Sequence, residues 1–301
     1  MASANSTGSP LSESHPFSSE KGSTKLGEIV AFIDGCIGTE GILEFASVLA
    51  EQHSARLISV FMQPHATVTP AETFARGKGI QRVFEVHRAE LDAVDAEHRA
   101  LFERIVRRHG IQSEWRSVPY MSTEVAVHAY YADLVVVARP EPADETAGPP
   151  GLAESLILSS GRPIIVFPLS SNASRIRRIL VGWNARRESI RAVADALPLL
   201  AMSEAVEVLV IGDQQHSGGH GEEPGADIAR RLARHGAQVE VRHLTSGGDA
   251  VGHLLLSRTA SFGADLLVMG AYGHSHLSEW VFGSVTRTVL REASLPVLMS
   301  R

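Results

Sequence analysis

Residues 264–287 read ADLLVMGAYGHSHLSEWVFGSVTR, and this stretch decides how the rest of the chain is interpreted. A short apolar run, 266–269, is followed by Gly270, by Gly273 and, after nine more residues, by Gly283-Ser284. Short continuous apolar runs are typical of strands buried on both faces of a parallel sheet. A helical pattern follows Gly283, so the stretch predicts a strand, a glycine loop and a helix N-terminus. The free N–H groups of such a terminus favour an anion.

Working outward from this stretch, the chain presents the same elements twice, in the same order and with nearly equal spacing. Five pairs of segments correspond: 28–33 with 178–183, 42–49 with 190–197, 108–112 with 234–238, 132–137 with 264–269, and 162–166 with 295–299. Repetition at fixed spacing is the signature of a duplicated unit. Each copy reads as five strands alternating with four helices, which predicts two tandem doubly wound α/β domains, each with a five-stranded parallel sheet.

The first helix of each copy carries an apolar stripe with helical spacing. The stripe residues are Ile42, Phe45, Ala46 and Leu49 in the first copy and Ile190, Val193, Ala194 and Leu197 in the second. We expect both stripes to be buried.

Composition divides the chain into three parts. Residues 1–25 contain eight serines and few apolar residues, which predicts a disordered tail. We place the first domain at 27–169 and the second at 175–301, with the polar segment 170–174 as linker.

Charge and residue usage exclude several classes of function. There are 28 Lys and Arg against 34 Asp and Glu, a net charge of −6, so no basic field favours nucleic acid or anionic lipid. No apolar run approaches the roughly 18 to 20 residues of a membrane span. A single cysteine, Cys36, cannot form an internal disulfide, which fits a cytoplasmic protein. No lysine follows Lys78, so a Schiff base or a P-loop lysine is excluded from the C-terminal copy.

The pattern Gly-x-x-Gly, nine residues, Gly-Ser, placed between a fourth strand and a fourth helix, resembles the ATP-binding signature of the universal stress protein family. The resemblance covers about residues 27–301 as two tandem copies. It implies a Rossmann-like fold similar to the adenine nucleotide alpha hydrolases and a stress-response role. It also implies binding of ATP or a related adenine nucleotide, with Mg or Mn as an open question.

Carried over position by position, the resemblance places nine residues at the nucleotide. These are Asn184, Ile211, Met269, Gly270, Gly273, Gly283, Ser284, Val285 and Thr286. The family usually has Asp where Asn184 stands; Asn keeps an acceptor and adds a donor, so the polarity of adenine recognition is open. The alternative is that the glycines only permit a tight loop.

The N-terminal copy lacks most of this pattern. At the matching positions it has Ala138, Glu141, Gly151 and Leu152, and the intervening segment brings carboxylates and prolines that oppose phosphate binding. We therefore predict one nucleotide site per chain, with Asp34 as a remnant of a second.

Other interpretations remain open at this point. Both copies could act only as a scaffold, or the C-terminal cleft could hydrolyse ATP slowly, although no residue there is an evident general base. Segment 246–249 has an incomplete likeness to the phosphate loop of ATP pyrophosphatases, and an adenylating enzyme is the least favoured function. His216 and His220 fit either a metal pair or a flexible loop, and His274 and His276 fit solvated loop residues or phosphate contacts.

Family members commonly dimerise through their last strand. The chain is therefore expected to form a homodimer, or to pair its own two copies as an internal pseudo-dimer. No catalytic residue and no metal ligand is assigned, and Cys36 has no assigned role.

Overall fold

The structure is a computed structural model of the chain. It describes residues 25–35, 38–64, 78–119, 125–139, 151–171, 173, 175–212, 225–246, 250–271 and 283–301. Most of the predicted tail, residues 1–24, lies outside these ranges.

The described elements follow the predicted alternation in both halves. In the N-terminal half they are β1 (Glu28–Ile33), α1 (Thr39–His53), β2 (Arg56–Gln63), α2 (Lys78–His109), β3 (Ser113–Pro119), a 3₁₀ turn (Val125–Ala129), β4 (Leu134–Arg139), α3 (Leu152–Ser159) and β5 (Ile164–Pro168). In the C-terminal half they are β6 (Arg178–Trp183), α4 (Arg187–Asp195), α5 (Leu197–Met202), β7 (Ala205–Ile211), α6 (Ala226–Arg234), β8 (Val239–Leu244), α7 (Val251–Phe262), β9 (Leu266–Gly270), α8 (Ser284–Glu292) and β10 (Val297–Ser300).

Two elements differ from the expected repeat. In the N-terminal half, the element directly before β4 is a 3₁₀ turn where a third helix was expected. In the C-terminal half, the first helix is divided at Ala196, because Pro198 in the first turn of α5 cannot donate the backbone hydrogen bond that a continuous helix needs.

The sheet confirms the doubly wound parallel α/β prediction and joins the two halves. Its ten strands lie in the order β3-β2-β1-β4-β5-β10-β9-β6-β7-β8. All neighbours are parallel except β5 and β10, which pair antiparallel with Ile165 opposite Leu298. The last strands of the two halves therefore protect each other's edges, which is the geometry expected of an internal pseudo-dimer.

Each face of the sheet is covered by helices. Alternate strand residues point to opposite sides: Ile29 and Ile33 of β1 belong to the core cluster under α1, α2 and α4–α6, and Val30 and Phe32 belong to the cluster under α3, α7 and α8. This double coverage explains why the strands read as continuous apolar runs.

The repeated Ala-Asp pair before β4 and β9 has a structural explanation. Asp133 Oδ2 accepts hydrogen bonds from the backbone N–H groups of Gly27 (2.7 Å) and Glu28 (3.0 Å). Asp265 Oδ2 accepts the same pair from Arg177 and Arg178, both at 2.9 Å. In each half the aspartate therefore joins the start of the central strand to its neighbour.

One side chain connects the two halves beyond the sheet. Arg139, the last residue of β4, donates from Nη1 to the carbonyl oxygen of Leu290 at 2.8 Å. Leu290 lies in the last turn of α8, where carbonyl groups lack an intrahelical partner. A cation at a helix C-terminus also interacts favourably with the helix dipole.

Candidate functional site

The carboxyl ends of β6, β7 and β9 meet at one edge of the C-terminal half. β6 lies between β7 and β9, and the chain changes direction across the sheet at the β6–β9 boundary. In open α/β sheets, ligands bind at such a switch point. The edge brings together Asn184 after β6, Ile211 at the end of β7 and Gly270 at the end of β9.

Asn184 is exposed at this edge, and its side chain shapes the turn into α4. Its Oδ1 accepts a hydrogen bond from the backbone N–H of Arg186 at 3.0 Å, while Ala185 takes a left-handed conformation with φ of 53°. Because the carbonyl oxygen is engaged in this turn, the amide NH₂ is the group left to face a ligand. An aspartate here would offer an acceptor instead.

Gly270 is required for packing inside the protein. A Cβ at this position would lie 2.5 Å from the backbone carbon of Glu188 and 2.5 Å from the backbone nitrogen of Ser189, both in the first turn of α4. No side chain fits at that distance, so α4 can dock on β9 only because residue 270 is glycine. The sequence motif therefore has a structural role at Gly270 that does not depend on a ligand.

This docking also explains why the predicted stripe of α4 is wrong. Ile190 is 52% exposed and Ala194 is exposed, while the buried positions on this side are Ser189, Ala192, Val193 and Ala196. The buried face is shifted by one residue because the contact of Ser189 with Gly270 sets the rotation of the helix. In α1 the predicted stripe is confirmed, since Ile42, Phe45, Ala46 and Leu49 are all buried.

The apolar site residues line the interior side of the edge. Ile211 and Val285 are half-buried and pack against the same core cluster, to which Met269 belongs at 6% exposure. Thr286, at 3% exposure, points into the protein rather than to its surface. Ile211 and Val285 are therefore better placed to contact a ligand than Met269 and Thr286.

The N-terminus of α8 is open. Gly283 is the N-cap residue with φ of −56° and ψ of 147°, no side chain caps the helix, and the space around a Cβ at Gly283 is free within 4 Å. Ser284 is the exposed first residue of the helix, so its hydroxyl is not the N-cap group. The first turn of α8 contains no acidic residue.

The corresponding terminus in the N-terminal half is built differently. Gly151 is the N-cap of α3 but takes a left-handed conformation with φ of 86°, and Glu154 supplies a carboxylate in the first turn of the helix. A carboxylate there interacts favourably with the N-terminal end of the helix dipole, and it opposes a second anion.

A buried ion cluster lies beneath the C-terminal edge, and sequence reasoning missed it. Glu207 of β7 is 1% exposed; Arg258 of α7 donates to it from Nε (2.7 Å) and Nη2 (2.5 Å), and Nε of Arg242 lies 3.3 Å away. Burial works to raise the pKa of Glu207, but the hydrogen bonds and charges of Arg258 and then Arg242 together outweigh it and hold the pKa below its usual range. A carboxylate within the apolar run AVEVLVI was the available signal.

Several residues discussed from the sequence lie outside the described ranges. They are Cys36, Glu141, His216, His220, Gly247, Asp249, Gly273, His274 and His276. Within the described residues, no group of three His, Cys, Asp or Glu side chains is arranged to hold a metal ion. Among the helices described here, none is long and apolar enough to cross a membrane.

Fold and site together define this half as a doubly wound α/β domain with an open switch-point edge. The model of the universal stress protein family matches residues 175–301. A curated universal stress protein of Synechocystis is 57% identical over 37 residues, which are 12% of this chain and 13% of that protein. The C-terminal half of this chain is thus a universal stress protein domain, which confirms the resemblance seen in the sequence for that half.

Solved structures extend the likeness of fold to nearly the whole chain. A universal stress protein from Archaeoglobus fulgidus superposes with a TM-score of 0.66 at 13% identity, covering 91% of this chain and 98% of that one. A functionally unknown protein from Pseudomonas aeruginosa gives a TM-score of 0.57 at 16% identity, covering 92% and 93%. Both halves therefore share the fold found in the universal stress protein of Archaeoglobus fulgidus.

Proposed function

We propose that the C-terminal half binds ATP or a related adenine nucleotide and serves a stress response through this binding. The observation that carries the proposal is the N-terminus of α8. Its N-cap is a glycine in ordinary extended geometry, its first turn lacks an acid, and the space around Gly283 is free within 4 Å. Backbone N–H groups at such a terminus are suited to phosphate oxygens.

The residues around the edge fit the rest of a nucleotide. The Asn184 amide offers a donor at the end of β6, and a purine ring nitrogen is a suitable acceptor for it. Ile211 and Val285 offer half-buried apolar surface for the base or sugar. ATP supplies the anionic group that the helix terminus accepts, and a Mg or Mn ion bound to the phosphates is compatible with this arrangement.

The proposal places one nucleotide on each chain. The N-terminal half presents Glu154 in the first turn of α3 and a left-handed N-cap at Gly151, and both features disfavour phosphate. In the proposed division, 175–301 is the binding domain and 27–169 a degenerate copy. Tests use the full chain, because separating the halves would expose the paired edges of β5 and β10.

The test compares Gly283→Asp with Gly283→Asn by calorimetric titration with ATP. Because φ is −56° and the Cβ position is free, both side chains fit, and both are good N-cap residues. The two variants have nearly the same shape but differ in charge. We expect Asp to weaken ATP binding about tenfold or more through repulsion of phosphate, and Asn to stay within a few-fold of wild type.

Thermal unfolding of both variants serves as the control, and each should be at least as stable as the wild type. ATP binding by Gly283→Asp with unchanged affinity would overturn the assignment of α8 as the phosphate site. Two ATP molecules bound per chain would overturn the assignment of the N-terminal half as degenerate.

A further inference from the structure

The N-terminal part of α2 carries an apolar stripe that continues beyond the core. Ile80, Phe84, His87 and Leu91 are spaced alternately by four and three residues, and the series continues through Val94, His98, Leu101 and Ile105. Such alternation is the heptad spacing of a helix that packs along its length against another helix. We call the first four residues the α2 seam.

The two ends of this stripe have different surroundings. Val94 and Leu101 pack on the N-terminal core, and Ile105 is 1% exposed. In the seam, Phe84 is 68% exposed and Ile80 is 39% exposed. An exposed phenylalanine within a heptad stripe is unusual for a protein surface unless another chain covers it.

The geometry points to a second copy of this chain as the partner, with the two α2 helices packed antiparallel through the α2 seam. The pairing follows from reciprocity: a two-fold interface must place each residue of one copy against the matching residue of the other. With the axis midway between residues 85 and 86, Phe84 of one copy lies opposite His87 of the other, and Ile80 lies opposite Leu91.

Charge complementarity favours this arrangement. Arg88 flanks the α2 seam, and Glu85 lies further out on the same side of the helix. In the register given above, the long side chain of Arg88 in one copy reaches toward Glu85 of the other, and the symmetry repeats the pair. Both side chains are exposed in the chain described here. Antiparallel packing also brings the dipoles of the two helices into opposition, which is favourable.

The interface is small. The segment from residue 78 to residue 92 spans about 22 Å at 1.5 Å per residue, so the buried area falls at the low end for specific complexes. We therefore expect a reversible dimer in the micromolar range. The β5–β10 edges are already paired within the chain, so this contact does not compete with the sheet.

The first experiment is sedimentation velocity on the full chain without nucleotide, from about 2 to about 200 µM. Wild type should pass from monomer to dimer, and Phe84→Glu should remain monomeric throughout. Tyr131→Glu is the matched control, because it places the same charge on an aromatic residue that is 81% exposed outside α2; it should dimerise like wild type. A monomeric wild type at the highest concentration, or dimerisation of Phe84→Glu, would overturn the proposal.

Charge exchange tests the register. Glu85→Arg should weaken the dimer about tenfold, since the new guanidinium would lie near Arg88 of the other copy and repel it. The double variant Glu85→Arg/Arg88→Glu should restore the dimer, because the exchanged charges attract again. If the double variant is as weak as the single one, the proposed register is wrong.

Spin labels test the orientation. Ala89 and Ala96 are exposed and lie seven residues apart on α2, so each can carry a label after substitution by cysteine in a Cys36→Ser background. For an antiparallel pair centred between residues 85 and 86, the two labels at 89 differ by about 10 Å along the axis, and those at 96 by about 32 Å. Equal distances at both positions would indicate parallel helices and overturn the antiparallel arrangement.

Discussion

The two halves share one fold but differ at the carboxyl edge of the sheet. At the helix that follows the fourth strand, Gly283 enters α8 in an extended conformation, whereas Gly151 enters α3 with φ of 86° and an acid in the first turn. Repetition has preserved the strands and the glycine, but the backbone geometry that favours an anion is present only in the C-terminal half.

The second strand of each half shows the same divergence. By strand register, Met62 in β2 corresponds to Ile211 in β7. Met62 is 1% exposed, while Ile211 is half-buried. An apolar side chain that is already covered offers no surface to a ligand, so the N-terminal edge is closed where the C-terminal edge is accessible.

Beneath the edge the contrast is one of charge. Ile58 in β2 corresponds to Glu207 in β7, and both are buried. The C-terminal half replaces an apolar contact with a carboxylate that depends on Arg258 and Arg242. A buried ion pair of this kind is weak evidence of stability, but removing one partner is costly.

The largest expected effect comes from breaking that pair. Arg258→Met should destabilise the protein by about 3 to 5 kcal/mol, because it leaves the buried Glu207 carboxylate without its main partner. The double variant Glu207→Ile/Arg258→Met, which copies the N-terminal half, should recover most of this loss. Urea unfolding measures both; a double variant as unstable as Arg258→Met would show that Ile58 and Glu207 are not equivalent.

The same residue predicts a pH dependence. The pKa of Glu207 is lower in the folded chain than in the unfolded chain, so its stabilisation is present above the unfolded pKa of about 4.3 and is lost as pH falls through the folded value. The free energy of unfolding should therefore decrease in acid more steeply for wild type than for Glu207→Ile/Arg258→Met. Parallel curves for the two proteins would contradict this role of Glu207.

A smaller effect is expected at the glycine that ends β9. Gly270→Ala should cost about 1 to 3 kcal/mol, because its Cβ would lie 2.5 Å from the backbone of α4. Ala138→Gly makes the reverse change at the corresponding position of β4 and should cost about 1 kcal/mol or less. Thermal unfolding compares the two, and equal losses would show that the close approach at Gly270 carries no special constraint.

The smallest expected effect separates the two polar residues that follow the central strands. Asn184→Asp gives the C-terminal half the residue type of Asp34 and keeps the acceptor for the Arg186 N–H group. It should weaken ATP binding about tenfold, near 1.4 kcal/mol, because the donor toward the base is replaced by an acceptor. Calorimetric titration tests this, and tighter binding by Asn184→Asp would reverse the proposed polarity.

Local features of the chain were predictable from the sequence. The ends of α2 and α6 were expected at glycines, and Gly110 and Gly236 both take left-handed conformations there, with backbone hydrogen bonds that close the last turns. The strands of both halves were recognised within about two residues, since burial on both faces requires continuous apolar runs. The position of Gly283 before a helix followed from the same local reasoning.

Features that join distant segments were not predictable in the same way. The face of α4 that is buried follows from the contact of Ser189 with Gly270, about 80 residues later in the chain, and the spacing of apolar residues within α4 indicated another face. The partners of Glu207, on β8 and α7, could not be identified from the strand that contains it.

The sequence by itself therefore determined the repeat, the order of strands and helices, and the glycine pattern of the C-terminal edge, because each depends on residues that are close in the chain. Tertiary structure alone decided the antiparallel junction of Ile165 with Leu298, the bond from Arg139 to Leu290, and the open or closed state of each edge. The physical reason is that periodicity and turn chemistry act within a few residues, whereas docking depends on the close packing of surfaces from several segments at once.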